Sequence, residues 1–199
     1  MAEPRYAWGG VAGLLGLGAV LLRGLDTTLI DWQPALAASQ PWRAWSAVFV
    51  HYSGMHLGAN LAGALLVGAL GFAARVPARS VLAWCAAWPL TQAGLLLQPE
   101  LLHYGGLSGV LHAGVAVVAV HVLFAGHAGQ RRIGAAMLVV LAAKVLSEAP
   151  WAGPLRFPTG WDIAVAPLAH ASGVLVGALA SGLAEAVHRR RRQLPGVSP

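Results

Sequence analysis

Read from its apolar positions, the chain is a row of long charge-free stretches separated by short charged or turn-forming ones. Such stretches run over 6–22, 44–74, 80–99, 101–130 and 163–184. A sixth, 133–149, is apolar apart from Lys144, Ser147 and Glu148. A helix that crosses a bilayer needs about 20 mostly apolar residues. The two longest runs therefore hold one helix each plus loop or interfacial residues. The pattern predicts helices over 7–24, 50–72, 80–98, 107–126, 132–149 and 165–187. Backbone polar groups in hydrocarbon need internal partners, which makes helices the default over open strands. The expected fold is an all-α membrane protein, a compact six-transmembrane-helix bundle. It forms a single domain over 1–188, followed by a short basic tail over 189–199.

Composition narrows the class further. Hydrophobic residues make up 57% of the 199 residues and charged ones 10%, whereas soluble domains carry about 25% charged residues. The net charge of +6 does not point to nucleic acid, because the basic residues sit between apolar runs and not along a polar face. Six helices would gather Arg5, Arg75, Arg79, Arg131, Arg132 and Arg189 to Arg192 on one side, nine of the thirteen basic residues. That side, with both termini, is expected to be cytoplasmic. Asp26, Asp31, Glu100 and Asp162 fall on the other. The first helix lacks a small-residue cleavage site and is expected to be retained. Cys85 is the single cysteine, so no disulfide framework exists. Small residues at four-residue spacing (Gly54–Gly58, Gly173–Gly177, Gly177–Ser181) predict faces where helices approach closely. Trp8, Trp32, Trp151 and Trp161 read as interfacial anchors. Trp42 with Arg43 reads as shaping the outer loop over lipid, the Arg reaching headgroups.

Polar residues inside the apolar runs are the candidate chemistry, since placing them in lipid is costly. His56 and Asn60 share a helix face and could hold a developing negative charge or simply join helices. Ser108 is flanked by Gly106 and Gly109, which let a substrate approach and leave an amide free for an oxyanion. His170 precedes a glycine face, Gly173 and Gly177, that could press its helix against the serine helix and bring imidazole to hydroxyl. Lys144 and Glu148, four apart, can form an ion pair, read here as structural or as tuning the outer cavity. His112 lies one turn beyond Ser108. Its position beneath the serine suits stacking or hydrogen bonding better than proton abstraction, and the base is assigned to His170. No acidic third member is evident, so the arrangement reads as a Ser–His dyad: Ser108 the nucleophile, His170 the base, His56, Asn60 and the Ser108 amide the oxyanion donors.

These residues resemble those of a known family. Trp42-Arg43, His51 and His56-xxx-Asn60 are similar to the first loop and second helix of rhomboid intramembrane serine proteases. Gly106-Leu-Ser108-Gly109 resembles their nucleophile motif, and His170-xx-Gly173-xxx-Gly177 their base helix. The finer resemblance is to the rhombosortases, a compact bacterial branch, through Gly106-Leu-Ser-Gly-Val-Leu-His112 and Lys144-xxx-Glu148. Ala113 stands where glycine is expected in that branch, and His112 where general rhomboids often carry an aromatic on the imidazole. The resemblance implies a multi-pass protein of the bacterial inner membrane whose site opens to the periplasm. Its substrates would be single-pass proteins with a C-terminal GlyGly-CTERM sorting tail, and no cofactor is implied.

Other readings stand beside it. A general rhomboid protease would cut other single-pass membrane proteins. Eight histidines allow a metal- or haem-binding membrane protein, although neither HExxH nor CxxCH occurs. A rhomboid-like binder without activity would typically lack Ser108 or His170. A transporter is disfavoured by the absence of paired repeats.

Overall fold

The structure is a computed structural model that describes residues 3–193. Among these are six long helices: α1 (Pro4–Leu21), α2 (Gly54–Ala73), α3 (Ala78–Ala93), α4 (Ser108–Ala125), α5 (Ala128–Ser147) and α6 (Pro167–Gln193), with two single turns of α-helix between α1 and α2. Among the described residues, four segments are long and apolar enough to cross a membrane: α2, α3 with its 3-10 extension to Leu97, α4 and α6. Arg5 and repeated glycines dilute α1, and Arg131, Arg132 and Lys144 dilute α5.

The helix ends are set by local chemistry. α2 begins at Gly54, four residues after the predicted start, because Ser53 Oγ accepts a hydrogen bond from the His56 amide at 3.0 Å and so caps the helix. α5 begins four residues early, where Gln130 Oε1 accepts from the His127 amide at 3.1 Å. α6 runs through Gln193, so the first arginines of the expected basic tail are helical. The rest of that tail, 194–199, lies outside the described residues.

α4 is the centre of the bundle, packed on α2, α3, α5 and α6. Its most extensive contact is with α6, and glycines explain how close the two come. A Cβ on Gly173 would overlap the Gly109 carbonyl oxygen, and one on Gly177 would lie 2.8 Å from Ala113 Cα. The predicted Gly173–Gly177 face therefore packs backbone on backbone. Gly58, by contrast, has open space where a Cβ would go, so Gly54–Gly58 is not a packing face.

Two tryptophans expected at the interface are buried. Trp8 is fully enclosed, stacked on Trp84 at 4.3 Å, and its indole donates to the Val67 carbonyl at 2.8 Å. Gly71 makes the room, since any Cβ there would collide with the indole. Trp32 is 3% exposed and pairs through its backbone with Tyr104 at 2.7 and 2.8 Å.

Charge is buried at both ends of the bundle. At one end Glu185 of α6 accepts from Arg79 at 2.9 and 3.1 Å and lies 3.0 Å from His121. At the other, Asp31 is 1% exposed and accepts from Arg43 at 3.1 Å, Gln33 at 2.8 Å and His103 at 2.7 Å. Arg43 also donates to the Thr28 and Asp31 carbonyls. It is thus the buried hub of the α1–α2 connection, not a side chain reaching lipid headgroups. Trp42 beside it is exposed.

Candidate active site

Ser108 is the first residue of α4. The first-turn amides of a helix, including that of Ser108, have no acceptor within it and carry the positive end of the helix dipole. The approach to the helix is fixed by Gly106, whose φ of +133° favours glycine and whose amide donates to the Ala47 carbonyl at 2.9 Å. A Cβ there would also come within 2.7 Å of His56 Nε2. Gly109 lets α6 approach, its would-be Cβ being 2.9 Å from the Ala169 carbonyl oxygen.

The next residue of α6 after Ala169 is His170. Its Nε2 is 2.9 Å from Ser108 Oγ. Its Nδ1 is 2.7 Å from Glu148 Oε2, at the end of α5. The sequence suggested no acidic third member; the structure places this carboxylate on the far side of the imidazole. Glu148 Oε1 pairs with Lys144 Nζ at 2.9 Å. That ammonium also lies 2.7 Å from His112 Nε2 and 3.0 Å from His170 Nδ1. The predicted Lys144–Glu148 pair is therefore present but is not confined to α5, because it extends across to both histidines.

His112 stacks on His170, with ring centroids 4.3 Å apart and 16° between the planes. Its Nδ1 lies 2.6 Å from the Ser108 carbonyl oxygen. A carbonyl only accepts, so this nitrogen carries a proton and Nε2 is left to accept from Lys144. Both nitrogens are thus occupied away from the hydroxyl. His112→Phe keeps a ring for His170 to stack on but removes the acceptor for Lys144. It is expected to lower turnover by more than the roughly tenfold of a stacking contact of about 1 kcal/mol, yet by less than loss of His170 itself. A loss as deep as that of a His170 variant, measured as kcat on one membrane substrate, would mean His112 handles the proton.

His56 and Asn60 are 6% and 5% exposed. His56 Nδ1 and Asn60 Nδ2 have no protein partner. Buried donors left unpaired are costly, and both side chains line the same cavity as Ser108 and His170. The cavity measures about 940 Å³. Residues 155–166, between α5 and α6, roof it, and its apolar floor runs between α2 and α5 past Gly63, Val67 and Leu141. A hydrogen bond from Ser53 Oγ to Asp162, 2.8 Å long, ties the roof to the start of α2.

Two tyrosines that did not stand out in the sequence also face this space. Tyr104 and Tyr52 both line the cavity. Burial pushes the Tyr104 phenol up to about 12, against the pull of Ser108 and Gly109 beside it. Burial, then the charge of Asp31, raises Tyr52 as well. Both remain neutral donors at physiological pH. In the loop before α2, burial holds His51 below its ordinary value, and its ring lies 4.7 Å from that of His56. Among the described residues no three His, Cys, Asp or Glu side chains converge as a metal-binding group. Trp42 and Arg43 do not line the cavity.

The family model described as the Rhomboid domain matches residues 38–185, a span that begins before α2 and ends within α6. No curated protein matches the chain.

Proposed function

The chain belongs to the rhomboid family of intramembrane serine proteases, as a multi-pass membrane protein, and we propose that it cleaves peptide bonds through Ser108 activated by His170. The observation that carries this reading is the 2.9 Å contact between His170 Nε2 and Ser108 Oγ inside a cavity holding unpaired donors. Ser108 Oγ attacks the scissile carbonyl as its proton passes to Nε2. The oxyanion is held by His56, Asn60 and the Ser108 amide, donors set in place before the charge develops. The imidazolium then delivers its proton to the leaving nitrogen, and water resolves the ester by the reverse sequence.

For orientation, we read all six long helices as spanning, with α1 and α5 included despite their charges, and both termini in the cytoplasm. His56, Ser108 and His170 lie at the opposite ends of their helices from Arg75, Arg131 and Arg189, and on this orientation the cavity would open to the periplasmic side of a bacterial inner membrane. As substrates we propose proteins carrying a C-terminal GlyGly-CTERM tail. The support for that choice is the sequence resemblance at Gly106 to His112 and at Lys144-xxx-Glu148, together with an apolar cleft between α2 and α5 able to take a helix end.

Co-expression with a reporter fused to such a tail tests both levels. Wild type should release the reporter near the Gly-Gly, and Ser108→Ala should not. Cleavage by Ser108→Ala would remove the nucleophile from the argument. Cleavage only of single-pass substrates without the tail would leave the protease and sink the sorting-tail reading.

A further inference from the structure

We propose that Glu148 is a third member of the catalytic set, a positioning residue that fixes the tautomer of His170; this rests on the reading of Ser108 as nucleophile. His170 can accept the Ser108 proton at Nε2 only if its own proton sits on Nδ1. Two groups compete for Nδ1. Glu148 Oε2, at 2.7 Å, accepts a proton-bearing nitrogen, and Lys144 Nζ, at 3.0 Å, favours a bare one. If the ammonium prevailed, Nε2 would carry the proton, point it at Ser108 and be useless as a base.

The surroundings decide in favour of the carboxylate. Lys144 already has two acceptors, Glu148 Oε1 at 2.9 Å and His112 Nε2 at 2.7 Å. His112 is available to accept because its Nδ1 is committed to the Ser108 carbonyl. The ammonium is therefore drawn to the other oxygen of Glu148 and to the second ring, where it anchors the carboxylate for His170. The lysine–glutamate pair is neutral as a unit, which lowers the cost of placing it at a helix end beside the cavity. When His170 takes the proton from Ser108, the negative member of that pair faces the new imidazolium and keeps no proton itself. The proton inventory stays that of serine, imidazole and leaving amine.

A covalent serine probe separates this inference from the substrate assignment. Full-length enzyme in proteoliposomes is treated with a fluorophosphonate, and labelling of Ser108 is timed for wild type, Ser108→Ala, Glu148→Gln and Glu148→Asp. Cleavage of one membrane substrate is followed in parallel. Glu148→Gln, whose amide can donate to Nδ1 and impose the wrong tautomer, should label about 10²–10⁴-fold more slowly. It should lose kcat with KM unchanged and melt at the wild-type temperature. Glu148→Asp should recover at least a tenth of the wild-type labelling rate. Wild-type labelling by Glu148→Gln would overturn the role, as would equal losses in Gln and Asp variants accompanied by lower melting. If wild type itself fails to label at Ser108, the nucleophile reading falls and this inference falls with it.

Discussion

His170→Ala is expected to reduce kcat by about 10⁴–10⁶-fold while leaving the fold intact, because a serine hydroxyl without its base is a poor nucleophile. The geometry offers no replacement. The imidazole stacked beside His170 is His112, whose two nitrogens are held by the Ser108 carbonyl and Lys144, and His56 in the same cavity is placed as an oxyanion donor. The His112 ring lies on the face of His170, not on the line to the hydroxyl. The residual rate should come from the oxyanion donors His56 and Asn60 and from binding alone. Steady-state cleavage by purified His170→Ala and Ser108→Ala, compared with their double variant, checks this. The two single losses should be nearly equal and the double no deeper, since the pair acts as one unit. A Ser108 variant far deeper than His170→Ala would show that another group takes the proton.

The second large effect concerns packing. Gly173→Val is expected to cost about 10²-fold or more in kcat and about 1–3 kcal/mol in stability. The glycine meets the Gly109 carbonyl, one residue after the nucleophile and three after Gly106. A branched side chain has to push α6 off α4 at the point where the 2.9 Å hydrogen bond is made. A displacement of an ångström there breaks the contact without touching either catalytic group. Gly58→Ala, where open space awaits a Cβ, is the matching control and should keep its activity. Thermal unfolding and fluorophosphonate labelling of both variants distinguish the outcomes. Unchanged labelling in Gly173→Val would mean that α6 can repack and that the close approach is not what holds His170.

These two sites also mark how far the chain could be read before folding. Apolar runs located the long helices to within a few residues, because a helix long and apolar enough to cross a membrane demands a continuous stretch, which α2, α3, α4 and α6 supply. The α6 glycines at 173 and 177 pointed to a close helix contact because spacing on one helix is local information. Glu148 shows where such information stops. Its partner four residues back was legible, and the 2.9 Å pair with Lys144 is there. Its more consequential contact, with a nitrogen on α6, depends on how α5 tilts against α4, which no local pattern encodes. Trp8 fails for the same reason. Near the start of a membrane helix a tryptophan suits the interface, and only the notch at Gly71, on another helix, turns it inward. Arg43 looked like a lipid-facing cation because its acceptors, the Thr28 and Asp31 carbonyls, exist only once the α1–α2 connection has folded back.

The distribution of the proposed catalytic groups over α4, α5 and α6 has a consequence in time. A ribosome delivers α4 and its serine well before α6 leaves the exit tunnel, and the imidazole arrives with that later helix. Until α6 slots its glycines against α4, the nascent chain holds a hydroxyl with no base. On the proposed assignment, packing of α6 on α4 is what completes the pair, and a chain that stops before α6 has the serine without its base.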